Sequence, residues 1–270
     1  MFGEFLIAGY TLMALNIASI FPLRTNAADP QLSAKSVLII DTKTGQTLYG
    51  KKAQDIFPLA SLTKLLSSLV VLDAVPLEKD IELSQDIIDT GGGADDFKAG
   101  ERVQARHLLF SALIHSSNDA MLGLAYDLGK ENFLTLAKAK LLQLGIRRTK
   151  IADPAGLEAE TTGSAADVAK FAQAAFGNDF IRKILAIPEY TFVSQSGISH
   201  NPTTTNPLIF DPRVIVAKTG TLEAVGQNYA ALIRPPRAKD DLIMVLLGSS
   251  NREKDALALL GWLGKSYTWE

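Results

Sequence analysis

Apolar positions fall into short runs near both ends of the chain and into longer, helically spaced runs in its middle. Residues 37–40 form a short apolar strand. The turn chemistry of Asp41-Thr42-Lys43-Thr44-Gly45 follows, and residues 46–49 return, so a β-hairpin is predicted. Pro58 precedes a helix predicted over 61–74. Its apolar positions Leu62, Leu65, Leu66, Leu69, Val70 and Leu72 cover nearly every face, so it should be buried. Residues 76–104 are polar and Gly-rich, and Gly91-Gly92-Gly93 reads as a flexible loop. Helices are predicted over 106–114 and 118–128, broken at Ser116-Ser117, and over 131–144. Ser164 reads as the N-cap of a helix running to about 176, with Asp167 near its positive end. Strands over 214–217, 229–233 and 242–247 are joined by turns at 220–226 and 235–240, and a helix over 251–263 closes the chain. Strands at both ends and helices between them predict an α/β (α+β) fold: one antiparallel sheet built from both chain ends, with a helical cluster inserted.

The N-terminus stands apart. The run that starts at Phe5 and ends at Leu23 has no charge, and 14 of its 19 residues are apolar. That length could just span a bilayer core. It also suits the apolar part of a secretory signal, since Thr25-Asn26-Ala27 resembles a small-x-small cleavage site. Residues 1–27 are therefore expected to be a signal peptide or N-terminal membrane anchor, and residues 28–270 one exported domain in the periplasm or cell envelope.

Composition narrows the chemistry. There is no cysteine, hence no thiolate zinc site and no cysteine nucleophile. Only three histidines are present (His107, His115 and His200), which leaves little for a metal site or a Ser-His-Asp triad. The 27 basic and 29 acidic residues give a net charge of −2, with no electrostatic case for nucleic acid.

The candidate chemistry begins at Ser61-Leu62-Thr63-Lys64. Positions i and i+3 share a helix face, so the hydroxyl and the amine can point into one cleft. Free N–H groups at a helix start can polarise a carbonyl, and a lysine of depressed pKa can take the hydroxyl proton. Ser116-Ser117-Asn118 lies at a helix break, and Lys218-Thr219-Gly220 at the end of a predicted strand. The intervals are 55 residues from Ser61 to Ser116 and 102 from Ser116 to Lys218. Two similar tripeptides fall outside this order. Lys43-Thr44-Gly45 reads as hairpin turn, and Ser249-Ser250-Asn251 as the cap of the last helix.

The order Ser-x-x-Lys, Ser-x-Asn, Lys-Thr-Gly resembles that of the penicillin-recognising serine enzymes. The chain most resembles the low-molecular-weight penicillin-binding proteins that are serine D-alanyl-D-alanine carboxypeptidases. Gly100-Glu101-Arg102-Val103 and Asp153-Pro154-Ala155-Gly156-Leu157 support the likeness, which runs from about Val37 to Trp262. It implies Ser61 as acyl-forming nucleophile, Lys64 as its base and Ser116 as proton relay to the leaving amine. Asn118 would orient the substrate amide, Lys218 and Thr219 would bind the terminal carboxylate, and Gly220 would let the strand edge approach the substrate. Backbone N–H groups of Ser61 and Thr221 would form an oxyanion hole. No cofactor or metal is implied. The implied partners are peptidoglycan stem peptides ending in D-Ala-D-Ala and β-lactam antibiotics as covalent inhibitors. A membrane tether through the Phe5 to Leu23 run is possible. His115 reads as an ordinary packed histidine, and Asp153 and Glu158 as loop residues. Three alternatives stay open: an endopeptidase of the same family, a class A-like β-lactamase, and a non-catalytic β-lactam or muropeptide sensor. The second lacks the Glu-x-x-Leu-Asn loop between Asn118 and Lys218, and the third does not need an intact Ser61, Lys64 and Ser116.

Overall fold

The computed structural model describes residues 23–24, 27–91 and 96–268. In chain order, β1 (Leu23–Arg24) is followed by the hairpin β2 (Ser36–Asp41) and β3 (Thr47–Lys51). Then come β4 (Ile56–Pro58), a 3-10 turn (Ala60–Leu62) and α1 (Thr63–Ala74). The middle holds β5 (Asp80–Leu83), α2 (Gln85–Gly91), β6 (Glu101–Gln104), α3 (Ala105–Ile114), α4 (Asn118–Tyr126) and α5 (Lys130–Gln143). Next are β7 (Thr162–Ser164), α6 (Ala165–Gly177), α7 (Asp179–Leu185), β8 (Phe192–Val193) and β9 (Ser199–His200). The chain closes with β10 (Val214–Leu222), β11 (Gly226–Ile233), β12 (Leu242–Ser249), α8 (Arg252–Ser266) and β13 (Tyr267–Thr268).

The main sheet has five strands in the order β10-β11-β12-β2-β3, and the pairings along it are antiparallel. It is built from both chain ends with the helices inserted, as the sequence pattern predicts. Side chains alternate across it. Leu38, Ile243, Val245 and Leu247 face the helical cluster, while Val37, Ile39, Met244 and Leu246 face α8. A strand covered on both faces reads as an unbroken apolar run. Within the cluster α1 is buried around Leu62, Leu65 and Leu66, each contributing roughly 1.5–3 kcal/mol.

Several expectations need correction. Residues 76–104 are not one loop: β5 and β6 pair antiparallel, with alternating Ile81, Leu83 and Val103 buried. Two four-residue strands are too short to stand out against polar neighbours. Gly91 ends α2 instead of lying in a loop. A Cβ there would fall 1.6 Å from Asp119 Oδ1, so only glycine lets the helices meet. β10 extends to Leu222, which places Lys218-Thr219-Gly220 inside a strand, not at its end. The short elements α7, β8 and β9 and the β4–β7 pair carry no clear periodicity and are additions. The Phe5 to Leu23 run, Leu23 excepted, lies outside the described residues. Among those described, no helix is long and apolar enough to cross a membrane. β1 lies on the leader side of the boundary expected at residue 27, and it pairs with β13.

Candidate active site

Ser61 lies in the 3-10 turn that feeds α1. The turn is held from several sides. Leu59 N donates to Thr161 O at 2.9 Å, and Asn228 Nδ2 donates to Pro58 O and Leu59 O at 3.0 and 3.1 Å. Ala60 has φ +50, a left-handed conformation that costs about 1–3 kcal/mol and persists only where neighbours enforce it. Gly156 is one such neighbour: a Cβ there would fall 1.9 Å from Ala60 O. Gly220 is another. Its virtual Cβ lies 3.1 Å from Ser61 N, so its bareness brings β10 against the turn.

Lys64 is fully buried, one helical turn beyond Ser61. Its Nζ lies 2.9 Å from Ser61 Oγ, 2.7 Å from Asn118 Oδ1 and 3.0 Å from Ala155 O. Ala155 O is presented by a loop organised on Asp153. The buried Asp153 carboxylate accepts from the backbone N–H groups of residues 155–158 and from Thr161 Oγ1. Asp153 is thus a loop residue, as read from the sequence.

Ser116 fills the break between α3 and α4 with φ +66, a second left-handed non-glycine. Ser117 caps α4 by accepting from Ala120 N at 3.0 Å. Lys218 Nζ crosses the cleft to donate to Ser116 Oγ at 2.7 Å, and to Thr219 O at 3.1 Å. Thr219 Oγ1 lies 2.6 Å from Thr205 Oγ1. Lys218 is held well below the ordinary lysine range, first by burial, then by the positive charges of Lys64 and Arg252. Burial and like charge both disfavour an ammonium.

Two expectations change in detail. Asn118 turns its amide inward: Oδ1 accepts from Lys64, and Nδ2 donates to Gly91 O at 3.2 Å. His115 is exposed, not packed, with Nδ1 3.1 Å from Thr203 O. Otherwise Ser61, Lys64, Ser116, Asn118, Lys218, Thr219 and Gly220 converge on one cleft. Thr221 is exposed at its rim, where Arg252 Nη1 donates to its Oγ1 at 3.1 Å. The same Nη1 donates to Gly220 O at 2.7 Å and Asn228 O at 3.3 Å. Arg252, Asn228 and Thr205 escaped the sequence reading. None lies in a motif, and Arg252 looks like any surface residue at a helix start.

The model of the D-alanyl-D-alanine carboxypeptidase family, peptidase S11, matches residues 23–251. The chain belongs to that family. Among its relatives, a D-alanyl-D-alanine endopeptidase of Pseudomonas aeruginosa is 27% identical over 241 residues, 86% of this chain and 78% of that protein. A D-alanyl-D-alanine carboxypeptidase of Mycobacterium tuberculosis, DacB2, is 31% identical over 207 residues, 74% of this chain and 70% of that protein. A solved D-alanyl-D-alanine carboxypeptidase of Mycobacterium tuberculosis superposes with a TM-score of 0.81 at 24% identity, covering 92% of this chain and 99% of that one. The Streptomyces K15 DD-transpeptidase gives a TM-score of 0.80 at 22% identity, covering 87% and 98%. Those two likenesses show the fold, one shared with a D-alanyl-D-alanine carboxypeptidase and a DD-transpeptidase. Family membership makes the chain a hydrolase of D-Ala-D-Ala peptides.

Proposed function

We propose that this carboxypeptidase cleaves stem peptides through an acyl-enzyme on Ser61. The observation that carries the reading is the pair of buried lysines, each within hydrogen-bond distance of one serine hydroxyl. Two ammonium groups buried in one cleft repel each other, so the pair favours holding one proton rather than two. At rest the bias is against Lys218, whose burial and cationic neighbours disfavour its charged form. A substrate carboxylate at Lys218, Thr219 and Thr205 reverses that bias. The charge then sits on Lys218, and Lys64 becomes the neutral base.

Ser61 Oγ attacks the D-Ala carbonyl and its proton passes to Lys64, while the new C–O bond forms. The amide C–N bond then breaks. Ser116 gives its hydroxyl proton to the departing nitrogen and regains one from Lys218, 2.7 Å away. Water hydrolyses the resulting ester and restores Ser61. Asn118 holds Lys64 in place, since its amide is already engaged at both ends. Backbone N–H groups of Ser61 and Thr221 are the proposed oxyanion donors.

A peptidase of the cell wall works outside the cytoplasmic membrane, and the uncharged run from Phe5 to Leu23 supports export by a signal or anchor at residues 1–27. Labelled penicillin and diacetyl-Lys-D-Ala-D-Ala test the reading together. The label should map to Ser61 and vanish in Ser61→Ala, and free D-Ala should be released. A label on Ser116, or no D-Ala release by labelled protein, would overturn it.

A further inference from the structure

The end of α5 builds a second cavity, away from the cleft. Gly145, at φ +68, donates its N–H to Leu142 O at 3.0 Å, and Ile146 N donates to Leu141 O at 2.8 Å. This double closure, with Leu141 and Ile146 both buried, folds residues 146–151 back alongside the helix. The returning segment is then tied down. Lys150 N donates to Thr162 O of β7 at 2.8 Å, and Thr149 Oγ1 donates to Asp167 Oδ2 at 3.0 Å. A cavity of about 490 Å³ stays open between the two walls. That size falls within the roughly 300–1,000 Å³ of small-molecule sites.

Its lining has two characters. Leu134, Leu141 and Ile146 give it an apolar floor, and Leu142 stands 54% exposed at its edge. Lys138, Arg147 and Lys150 line it too, and all three are exposed. The surrounding stretch, residues 132–152, carries five cations and no acid, in a chain whose net charge is −2. Elsewhere on the surface cations meet carboxylates: Lys79 meets Asp127, Arg213 meets Asp211, and Arg234 meets Asp241. Lys140, on the same helix, pairs with Asp73. The three lining cations form no ion pair among the described residues. Asp167, the carboxylate bonded to this wall, accepts from Thr149 instead.

An occupant must therefore satisfy both characters. A small anion alone leaves the apolar floor in water, and a neutral chain leaves three cations without counter-charge. Long basic side chains around an apolar surface match a lipid with an anionic head. We infer that this cavity binds an anionic membrane phospholipid, with an acyl chain along Leu134, Leu141 and Ile146 and the phosphate between Lys138, Arg147 and Lys150. The site shares no residue with the cleft around Ser61, and no step of the proposed reaction depends on it.

Isothermal titration of the full chain tests the inference with three compounds below their micellar concentrations: dodecyl phosphate, dodecyl maltoside and inorganic phosphate. Dodecyl phosphate should bind at least about tenfold more tightly than either of the others. The triple variant Lys138→Gln, Arg147→Gln, Lys150→Gln should lose at least about tenfold of that affinity, the scale of three basic residues beside an anionic surface. Thr135→Trp, which fills the cavity from an exposed position and keeps the cations, should weaken dodecyl phosphate as well. Flotation with vesicles identifies the source of the lipid. The unaltered chain should prefer phosphatidylglycerol to phosphatidylcholine vesicles, and the triple variant should lose that preference. Equal binding of dodecyl maltoside or of inorganic phosphate, or an affinity that neither variant changes, overturns the site. Flotation indifferent to head group overturns the phospholipid as its occupant. Release of D-Ala from D-Ala-D-Ala peptide should be unchanged in both variants, so failure of this site leaves the peptidase reading intact.

Discussion

The chain contains Lys-Thr-Gly twice, and the two copies do different work. Lys43-Thr44-Gly45 is the tip of the first hairpin. There Asp41 Oδ1 accepts from the N–H groups of Lys43 and Thr44 and from Thr44 Oγ1, while Gly45 turns the chain at φ +72. Lys43 is exposed, 3.6 Å from Asp240. Lys218-Thr219-Gly220 lies in the edge strand β10, with both Lys218 and Thr219 buried in the cleft. One tripeptide uses its backbone to reverse direction; the other uses an extended backbone to present side chains. Burial and what stands opposite, not residue type, separate a turn from a piece of catalytic machinery.

The largest contrast comes from removing the two charges. Lys218→Met should slow acylation of Ser61 by penicillin by at least about 100-fold, the scale of a lost acid–base partner. Lys43→Met should leave it within about twofold. Equal effects of the two changes would mean that the buried lysine is only structural.

The glycines give a smaller contrast. A Cβ at Gly220 meets Ser61 N at 3.1 Å and Leu59 O at 3.2 Å, so backbone must shift beside the nucleophile. Gly220→Ala should lower kcat/KM for D-Ala-D-Ala peptide by about tenfold, since small misplacements near the reacting atoms are costly. Gly45 has nothing within 4 Å, so Gly45→Ala carries only the conformational penalty of its positive φ. Urea titration should show a loss of about 1–2 kcal/mol with no change in activity.

The smallest contrast lies in the pH dependence of stability. Folded Lys218 gives up its proton well below the ordinary lysine value of 10.5, in a range where the unfolded chain still holds it. Across that interval the unfolded state binds more protons, so this residue makes stability rise with pH. The maximum slope is about 1.4 kcal/mol per pH unit. Below the folded value both states are protonated and the slope vanishes. Lys218→Met should flatten urea-unfolding stability between neutral pH and 10 relative to the unaltered enzyme, whereas Lys43→Met should keep the same slope. A slope unchanged in Lys218→Met would show that Lys218 titrates normally.

The same pair of tripeptides shows what a sequence can reveal. Order along the chain separated the two copies, because the second follows a Ser-x-x-Lys and a Ser-x-Asn. Helical spacing put Ser61 and Lys64 on one side of a turn, and apolar crowding around Leu62, Leu65 and Leu66 made that helix internal. Long amphipathic or wholly apolar elements were legible for that reason. The supports of the site were not. Arg252 reaches Gly220 from 32 positions away, and Asn228 braces Leu59 across 169. Such contacts exist only after the sheet has closed, and neither residue type nor local spacing announces them. The inward turn of Asn118 is of the same kind. A motif names the residue, but only packing decides which way its amide points.

The pairing of β2 with β12 also constrains the order in which the molecule forms. Thr42 meets Asp241 across 199 positions, and Ser33 meets Asp255 across 222. The central strands therefore cannot pair until nearly the whole polypeptide has left the ribosome. Contacts this distant in sequence are slow to establish and expose unpaired strand edges in the meantime. Among the helices α3 and α4 are neighbours in sequence and can pack early, whereas α1 waits for the distant α6. An emerging chain is thus left with an open sheet for longer than a helical bundle would be. The cleft, whose wall is β10, is among the last parts of the molecule to take shape.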